Sequence, residues 1–452
     1  MPDLTKSRVV VVGAGVFGLS TAWHLSKKGY TDVTVLDGQD LPSQHYSPDE
    51  GSKSASADIN KVFRASYGEQ VHYQQLAYES QKVWLEWNDE ISRSAPADLP
   101  EGLAREDKLL DLCGMLRLSA TGDLSAHEQA TLRNFEAAGT RAQQFSLQDP
   151  EDRKHAFEDP AWKARYCVFG DPATPEAKAK VGVLDSTAGF VLMGNACLWL
   201  HHLCSKAGVK FVFGEEGKVK RFLTAKTASI QKIVGVHTAA SEHPSDLVIV
   251  ATGAFTPLLV PQTAPSATAT AGSLITFQLP ADRADLLDRF SPKRFPVVSW
   301  GSNGLQRNGL YILPRTKEGL LKFGFRGTKF TNLEQPDAST PIYPESVPAL
   351  ASKIVNETIE EFFPELKGIP VQSTRMCWYT DGPGDEFLVD YVPGYAGLFV
   401  ATCGSGHGAK HMPMLGKYIV EIIEGNETPF NQFWKWKEGG ARPSNLIDLK
   451  DA

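Results

Sequence analysis

Arg8-Val9-Val10-Val11-Val12-Gly13-Ala14-Gly15-Val16-Phe17-Gly18 is the stretch from which the fold can be read. A short β-branched run reads as a strand, and three glycines follow at the spacing G-x-G-x-x-G. From 19 to 28 the apolar residues recur at helical spacing until Gly29 stops the pattern. Strand, glycine turn and helix in this order describe a dinucleotide-binding unit. Gly13 permits the tight turn, Gly15 removes a side chain so that backbone can approach a pyrophosphate, and Gly18 lets the helix pack closely on the strand. The helix N-terminus, entered through Val16 and Phe17, offers free N–H groups and a positive dipole end to phosphate.

A second strand, 33–36, ends in Asp37, where a carboxylate can accept hydrogen bonds from ribose hydroxyls and would repel the 2′-phosphate of NADP. Far downstream, 246–250 followed by Ala251-Thr252-Gly253-Ala254 repeats the theme of a buried strand closing on small residues. Such a late return to one sheet is more typical of FAD proteins than of NAD dehydrogenases, which brings Gly253 to the cofactor; a plain core strand is the other reading. The 452 residues exceed one compact core and suggest two domains, since a domain holds roughly 100 to 200 residues. A net charge of -7 without a Lys/Arg block argues against a nucleic-acid or anionic-membrane partner. Six cysteines without a CxxC pair point to a reducing compartment and no metal cluster, no segment reads as a membrane span, and the C-terminal residues are not a peroxisomal address. The expected location is therefore the cytoplasm.

Four further segments carry a resemblance. Ser54-Ala55-Ser56-Ala57-Asp58-Ile59-Asn60-Lys61-Val62-Phe63-Arg64 looks like the segment that crosses the flavin in the monomeric sarcosine oxidase family. That family includes the fructosyl amino acid oxidases (amadoriases) and the fungal saccharopine and pipecolate oxidases, and the Asp-x-Asn-Lys pattern resembles its fungal branches most. Leu320-Leu321-Lys322-Phe323-Gly324-Phe325 is similar to the strand bearing the family's oxygen-activating lysine, and Cys377-Trp378-Tyr379-Thr380-Asp381 to its covalent-flavin cysteine segment. Gly404-Ser405-Gly406-His407-Gly408-Ala409-Lys410 resembles the glycine loop that opens the last helix beneath the flavin ring. The matches occur in order across nearly the whole chain. Two departures lie near the expected substrate site: Ala409 replaces a usual aromatic residue, and the step from Asp37 to Lys61 is longer than in the compact bacterial members.

The resemblance implies FAD, held through an 8α-S-cysteinyl bond to Cys377, and oxidation of the secondary amine of an N-substituted amino acid to an imine with release of hydrogen peroxide. N-methyl, saccharopine-like, pipecolate-like and fructosyl amino acids remain open as substrates, as does a specialised amine of secondary metabolism. Lys322 becomes the oxygen-activating cation, with Lys61 reinforcing the field over the ring; a strand lysine snorkelling to water is the alternative. Gly404, Gly406, His407, Gly408 and Lys410 are expected against the flavin, with Ser56 and Val219 among the other cofactor contacts. His407 reads as a loop residue more than as a general base. Arg64 and Lys410 would clamp the substrate carboxylate, Tyr311 would line the pocket, and Arg117 is a weaker candidate for a second anionic group; salt bridges and core packing are the bland readings. Cys377 could instead be a small buried hydrophobe, and Cys403, just before the glycine loop, competes with it by position.

The expected fold is α/β (α+β), a Rossmann-like FAD-binding domain with a second mixed β-sheet substrate domain, both discontinuous in sequence. Residues 1–105, 181–262 and 376–452 are assigned to the first, and 106–180 and 263–375 to the second. The partners expected are a small amino-acid-derived amine and O2, acting on a monomer. A flavin monooxygenase and a nucleotide-sensing protein without turnover share the first motif. Peroxide release without NADPH separates the oxidase from the former, and bleaching of bound flavin by an amine from the latter.

Overall fold

The computed structural model describes residues 4–119, 122–226, 230–301, 307–335, 338–437, 439 and 445–451. Its first sheet has six strands in the order Leu388–Tyr391, Leu398–Thr402, Leu247–Val250, Arg8–Val12, Asp32–Leu36 and Lys210–Val212. Arg8–Val12 runs parallel to both neighbours, pairing Val12 with Val250 and with Leu36. Val9 to Val12 are all buried, as a central strand covered on both faces requires. The helix Val16–Lys27 starts directly after Gly15, three residues before the apolar periodicity becomes visible. The C-terminal helix Met412–Ile423 packs against it. Gly416 permits the approach, since a Cβ there would run into the Ser20 carbonyl, and the Ser20 hydroxyl accepts from the Gly416 N–H at 2.7 Å. This contact sets the 404–411 loop beside the start of the first helix.

A second sheet of nine strands runs Val371–Asp381, Thr268–Gln278, Leu320–Thr331, Leu310–Leu313, Val297–Gly301, Met115–Ser119, Gly182–Asp185 and Gln144–Ser146, with Leu446–Asp448 alongside Leu320–Thr331. Its strands alternate with period two. Leu321, Phe323 and Phe325 join Ile275, Phe277, Met376 and Trp378 in one core with Ile354 and Ile359 of the helix Ala349–Phe362. Lys322, Gly324 and Arg326 consequently face the other way. Two expected domain limits need correction. The limit at 376 falls inside the strand Val371–Asp381, and the segment from 181 opens with Gly182–Asp185, which pairs with Met115–Ser119 and Gln144–Ser146 of this sheet. A small third sheet sets Lys61–Phe63 against Gly189–Val191. Among the described residues no helix is long and apolar enough to cross a membrane.

Candidate functional site

The glycine turn has the geometry its spacing demands. Gly13 adopts φ +110°, and a Cβ there would lie 2.5 Å from the Ala251 carbonyl oxygen. A Cβ on Gly18 would collide with the Gly13 carbonyl, and one on Gly15 would sit 2.7 Å from the Ser56 hydroxyl. That hydroxyl accepts from the Val16 N–H at 3.0 Å, tying residue 56 to the helix N-terminus. Asp37 accepts from the Ala14 N–H at 2.8 Å and the Gln39 N–H at 2.9 Å, and burial pushes its carboxyl above the ordinary range. Val219 packs with Val10, Val12 and Leu36 near the Asp37 end of the sheet. Gly253, φ +54°, opens the short turn after Leu247–Val250, so that 251–253 passes beside Gly13.

On the open face of the large sheet, Lys322 is 1% exposed and donates to Asp58 Oδ1 at 2.8 Å and to the Asn60 carbonyl. Lys61 donates to the other oxygen of the same carboxylate at 2.8 Å. Burial lowers Lys322 to about 8, although Asp58 opposes it. Burial would raise Asp58, but Lys322, Lys61 and Arg375 overcome it and hold the acid well below the usual carboxylate range. Lys61 is likewise penalised by burial and ends above the ordinary lysine value through Asp58. Cys377 is fully buried opposite Gly272, within electrostatic reach of Lys61, Lys322, Tyr311 and Tyr379. The Tyr311 ring lies over Gly324, where any side chain would displace it. A cavity of about 360 Å³ reaches this group, lined by Asp58, Leu274, Thr276, Lys322, Tyr343 and Arg375 among others.

The glycine loop forms a second cluster. Gly404 and Gly408 make room for the Phe17 ring, which a Cβ on either would meet at about 3 Å. Cys403, Ser405 and Gly406 all have positive φ, a strained run of a kind that collects at functional sites. The N–H groups of Ser405, His407 and Gly408 bond to carbonyls of Thr380 and Gly404, so the donors expected toward a cofactor are not these three. Lys410 is buried and donates to the Tyr67 hydroxyl at 3.0 Å and the His407 carbonyl at 3.1 Å. Burial, then Arg64 and Arg326, push Lys410 well below the ordinary lysine range. Arg64 stacks on Tyr67, 4.7 Å from guanidinium carbon to ring centre, and among the described residues neither Arg64 nor Lys410 has an acid in ion-pairing distance. His407 shares the Tyr67 hydroxyl with His411, and burial drives both imidazoles to the neutral form.

A protein-family model described as FAD dependent oxidoreductase matches residues 8–422. The chain belongs to that family. L-saccharopine oxidase of Schizosaccharomyces pombe is 26% identical over 474 aligned residues, 98% of each chain. Peroxisomal sarcosine oxidase of Homo sapiens is 23% identical over 91% of each. A modified fructosyl peptide oxidase from Aspergillus nidulans superposes with a TM-score of 0.78 at 26% identity, covering 99% of both chains. The mixed α/β fold and the family implied by the sequence are those found.

The residues present in this FAD dependent oxidoreductase fit the cofactor. Both amide atoms of Asn60 are fully buried without a partner beside Lys322, and buried polar atoms of this kind await a bound group. The glycine turn, Ser56, Asp37 and Val219 would hold the dinucleotide end; Asn60, Lys61, Lys322, Cys377 and the 404–410 loop would hold the ring. One candidate is corrected. Arg117 donates to both oxygens of Glu128 at 3.0 Å, to Asp185 at 3.2 Å and to Gln144 at 3.2 Å, so two acids of the fold already neutralise its guanidinium and it is not placed as a substrate group. Sequence reasoning gave no role to Asp58, Asn60, Tyr67 or Arg326.

Proposed function

We propose that this chain is an oxygen-dependent oxidase of the secondary amine in an N-substituted amino acid, releasing an imine and hydrogen peroxide. The observation that carries this reading is that a desolvated lysine pair bridged by one carboxylate lies within reach of Tyr311, while an Arg64–Lys410 pair at the glycine loop, without an acid in ion-pairing distance among the described residues, lies within reach of Arg326, which also reaches Tyr311. Saccharopine, sarcosine and fructosyl peptides, named for the relatives, share a nitrogen bearing two carbon substituents. FAD, when bound, takes up the hydride equivalent from the carbon beside nitrogen and passes the electrons to dioxygen. Arg64 and Lys410 bind the amino-acid carboxylate, whose negative charge opposes the burial that pushes Lys410 below the ordinary lysine range. Tyr311 closes the pocket over the reacting carbon. Lys322, fixed by Asp58, holds a positive charge where negative charge develops on oxygen, and the cavity beside it is the path by which dioxygen arrives.

Cys377 is the residue that attaches the cofactor through a thioether. Cys403 is set apart by its place in the core with Val10, Val12 and Val400, by its contact with the Ser266 carbonyl at 3.5 Å, and by burial that pushes its thiol up. The enzyme acts as a monomer, and its six cysteines, none of which forms a disulfide, support a reducing compartment such as the cytoplasm. Anaerobic mixing with N-alkyl and primary amino acids tests the reaction. Secondary amines are expected to bleach the flavin and, in air, to yield peroxide without NADPH; bleaching by primary amino acids alone refutes the substrate class.

A further inference from the structure

We propose that Arg326 forms a second anion subsite, so that the substrate carries two carboxylates: the amino acid's own on Arg64 and Lys410, and another on the nitrogen substituent. This rests on the secondary-amine reading above and names its substrate class more closely. On the strand Leu320–Thr331 the residues facing the site are Lys322, Gly324 and Arg326. The Tyr311 ring covers the middle one, so Arg326 lies on the far side of the pocket aromatic from Lys322. Its guanidinium is held against the glycine loop. A Cβ on Gly406 would lie 2.6 Å from Arg326 Cζ and 2.7 Å from Nη1, so glycine at 406 is what admits it. Tyr379 stacks below, 4.9 Å from guanidinium carbon to ring centre, and Nη2 donates to Asp381. Nε has no partner although it is buried.

The local acids leave the buried Nε of Arg326 unmet. Asp381 is fully buried and already serves Lys329 at 3.1 Å and the Thr270 hydroxyl at 2.7 Å as well as Arg326. Asp385 sits 3.5 Å from Lys329 and is exposed. Among the described residues Arg64, Arg326 and Lys329, with Lys410 when protonated, thus face Asp381, Asp385 and Glu386, the last within electrostatic reach of Tyr67, and none of these acids accepts from Arg326 Nε. Guanidinium cannot shed its proton, so Arg64 and Arg326 stay charged whatever Lys410 does. A monocarboxylate would satisfy Arg64 and Lys410 and leave Arg326 with Nε unmet; a second carboxylate accepts from it and completes a planar fork.

The test uses the holoenzyme and thioethers, in which sulfur replaces the amine and cannot be oxidised as an amine. Methylthioacetate is the monocarboxylate probe; thiodiacetate and (carboxymethylthio)propanoate are the dicarboxylates. Calorimetry and the shift of flavin absorbance read their affinities. The wild type is expected to bind a dicarboxylate at least about tenfold more tightly than methylthioacetate, the effect of a charge-assisted hydrogen bond. Arg326→Gln should lower dicarboxylate affinity by about tenfold to hundredfold and weaken methylthioacetate far less, with Arg326→Lys between the two. Asp381 keeps Lys329 and Thr270 in either variant, and the wild-type comparison needs no variant. Equal binding of both probe classes by the wild type overturns the proposal, as does equal loss of both in Arg326→Gln. The amine panel is scored separately. Dicarboxylate preference without bleaching by any secondary amine would sustain the subsite and remove the amine reading, whereas bleaching without preference would remove the subsite alone.

Discussion

Lys322→Met separates what the buried lysine does for chemistry from what it does for stability. In the folded protein burial brings Lys322 from 10.5 to about 8. At 1.36 kcal/mol per unit, keeping it protonated costs about 3 kcal/mol. Because the folded value lies below the unfolded one, that penalty is present in full below about pH 8 and is relieved as pH rises from about 8 toward 10.5. Methionine is close in length and needs no proton, and Asp58 keeps Lys61 at 2.8 Å as its counter-ion. That relief is set against the loss of one of the two ammonium partners of the buried Asp58 carboxylate, so the variant is expected to melt below wild type at pH 7, with the deficit widening as pH rises from about 8 toward 10.5. The two ammonium groups on Asp58 fall to one, and the surplus positive charge over the site disappears. Loss of one preorganised electrostatic group at this kind of position lowers a rate by about 10² to 10³. Stopped-flow mixing of reduced enzyme with oxygen should show that fall, while anaerobic reduction by amine stays within about tenfold of wild type. Reoxidation at the wild-type rate, or an equal loss in both half-reactions, refutes the assignment of Lys322 to oxygen.

Three further outcomes follow from the same geometry. The rate of reoxidation should be flat at low pH and fall about tenfold per unit once Lys322 deprotonates, at about pH 8 or higher because reduced flavin is itself anionic; a rate that rises through this window contradicts the role. Cys377→Ser should release all yellow colour from the denatured chain while Cys403→Ser retains it, as read by absorbance after acid precipitation. Arg117→Ala should strand Glu128 and Asp185 and cost about 3 to 5 kcal/mol in denaturant titration, with KM unchanged in whatever enzyme remains folded.

The glycine turn was legible because its requirements are local: a positive φ at Gly13 and a missing Cβ at Gly18 are imposed by residues a few positions away or one strand over. Lys322 was legible as a strand residue, but its direction came from the family resemblance. The signal for its partner was present all the same. A lysine in an apolar strand must find an acid, and Asp58 stood in the quoted segment; 264 residues of separation hid the pairing. Period two would also have put Arg326 on the face of Lys322. Arg117 was misread for the complementary reason. Alternation placed it in a strand, and nothing local showed that Glu128, 11 residues on, and Asp185, 68 residues on, would consume its fork. The limit at 376 failed because Cys377 was grouped with the glycine loop, whereas its strand pairs along its length with Thr268–Gln278 of the large sheet.

These contacts also explain why residues 54–60 matter more than a connecting loop should. Ser56 accepts from Val16 at the start of the nucleotide helix. Two residues on, Asp58 receives Lys322 and Lys61, and Lys322 also reaches the Asn60 carbonyl. Arg375, from the neighbouring edge of the large sheet, donates to the carbonyls of Ala57 at 2.6 Å and Ser54 at 2.8 Å. One short segment is thus pinned to the dinucleotide sheet at one residue and to the large sheet by two cations. A purely apolar contact could pack the same surfaces, but packing is non-directional and would not fix the height of Lys322 above the turn. Charge-assisted hydrogen bonds fix it to within a few tenths of an ångström, so the lysine assigned to oxygen is referenced to the same helix N-terminus that would hold the phosphates.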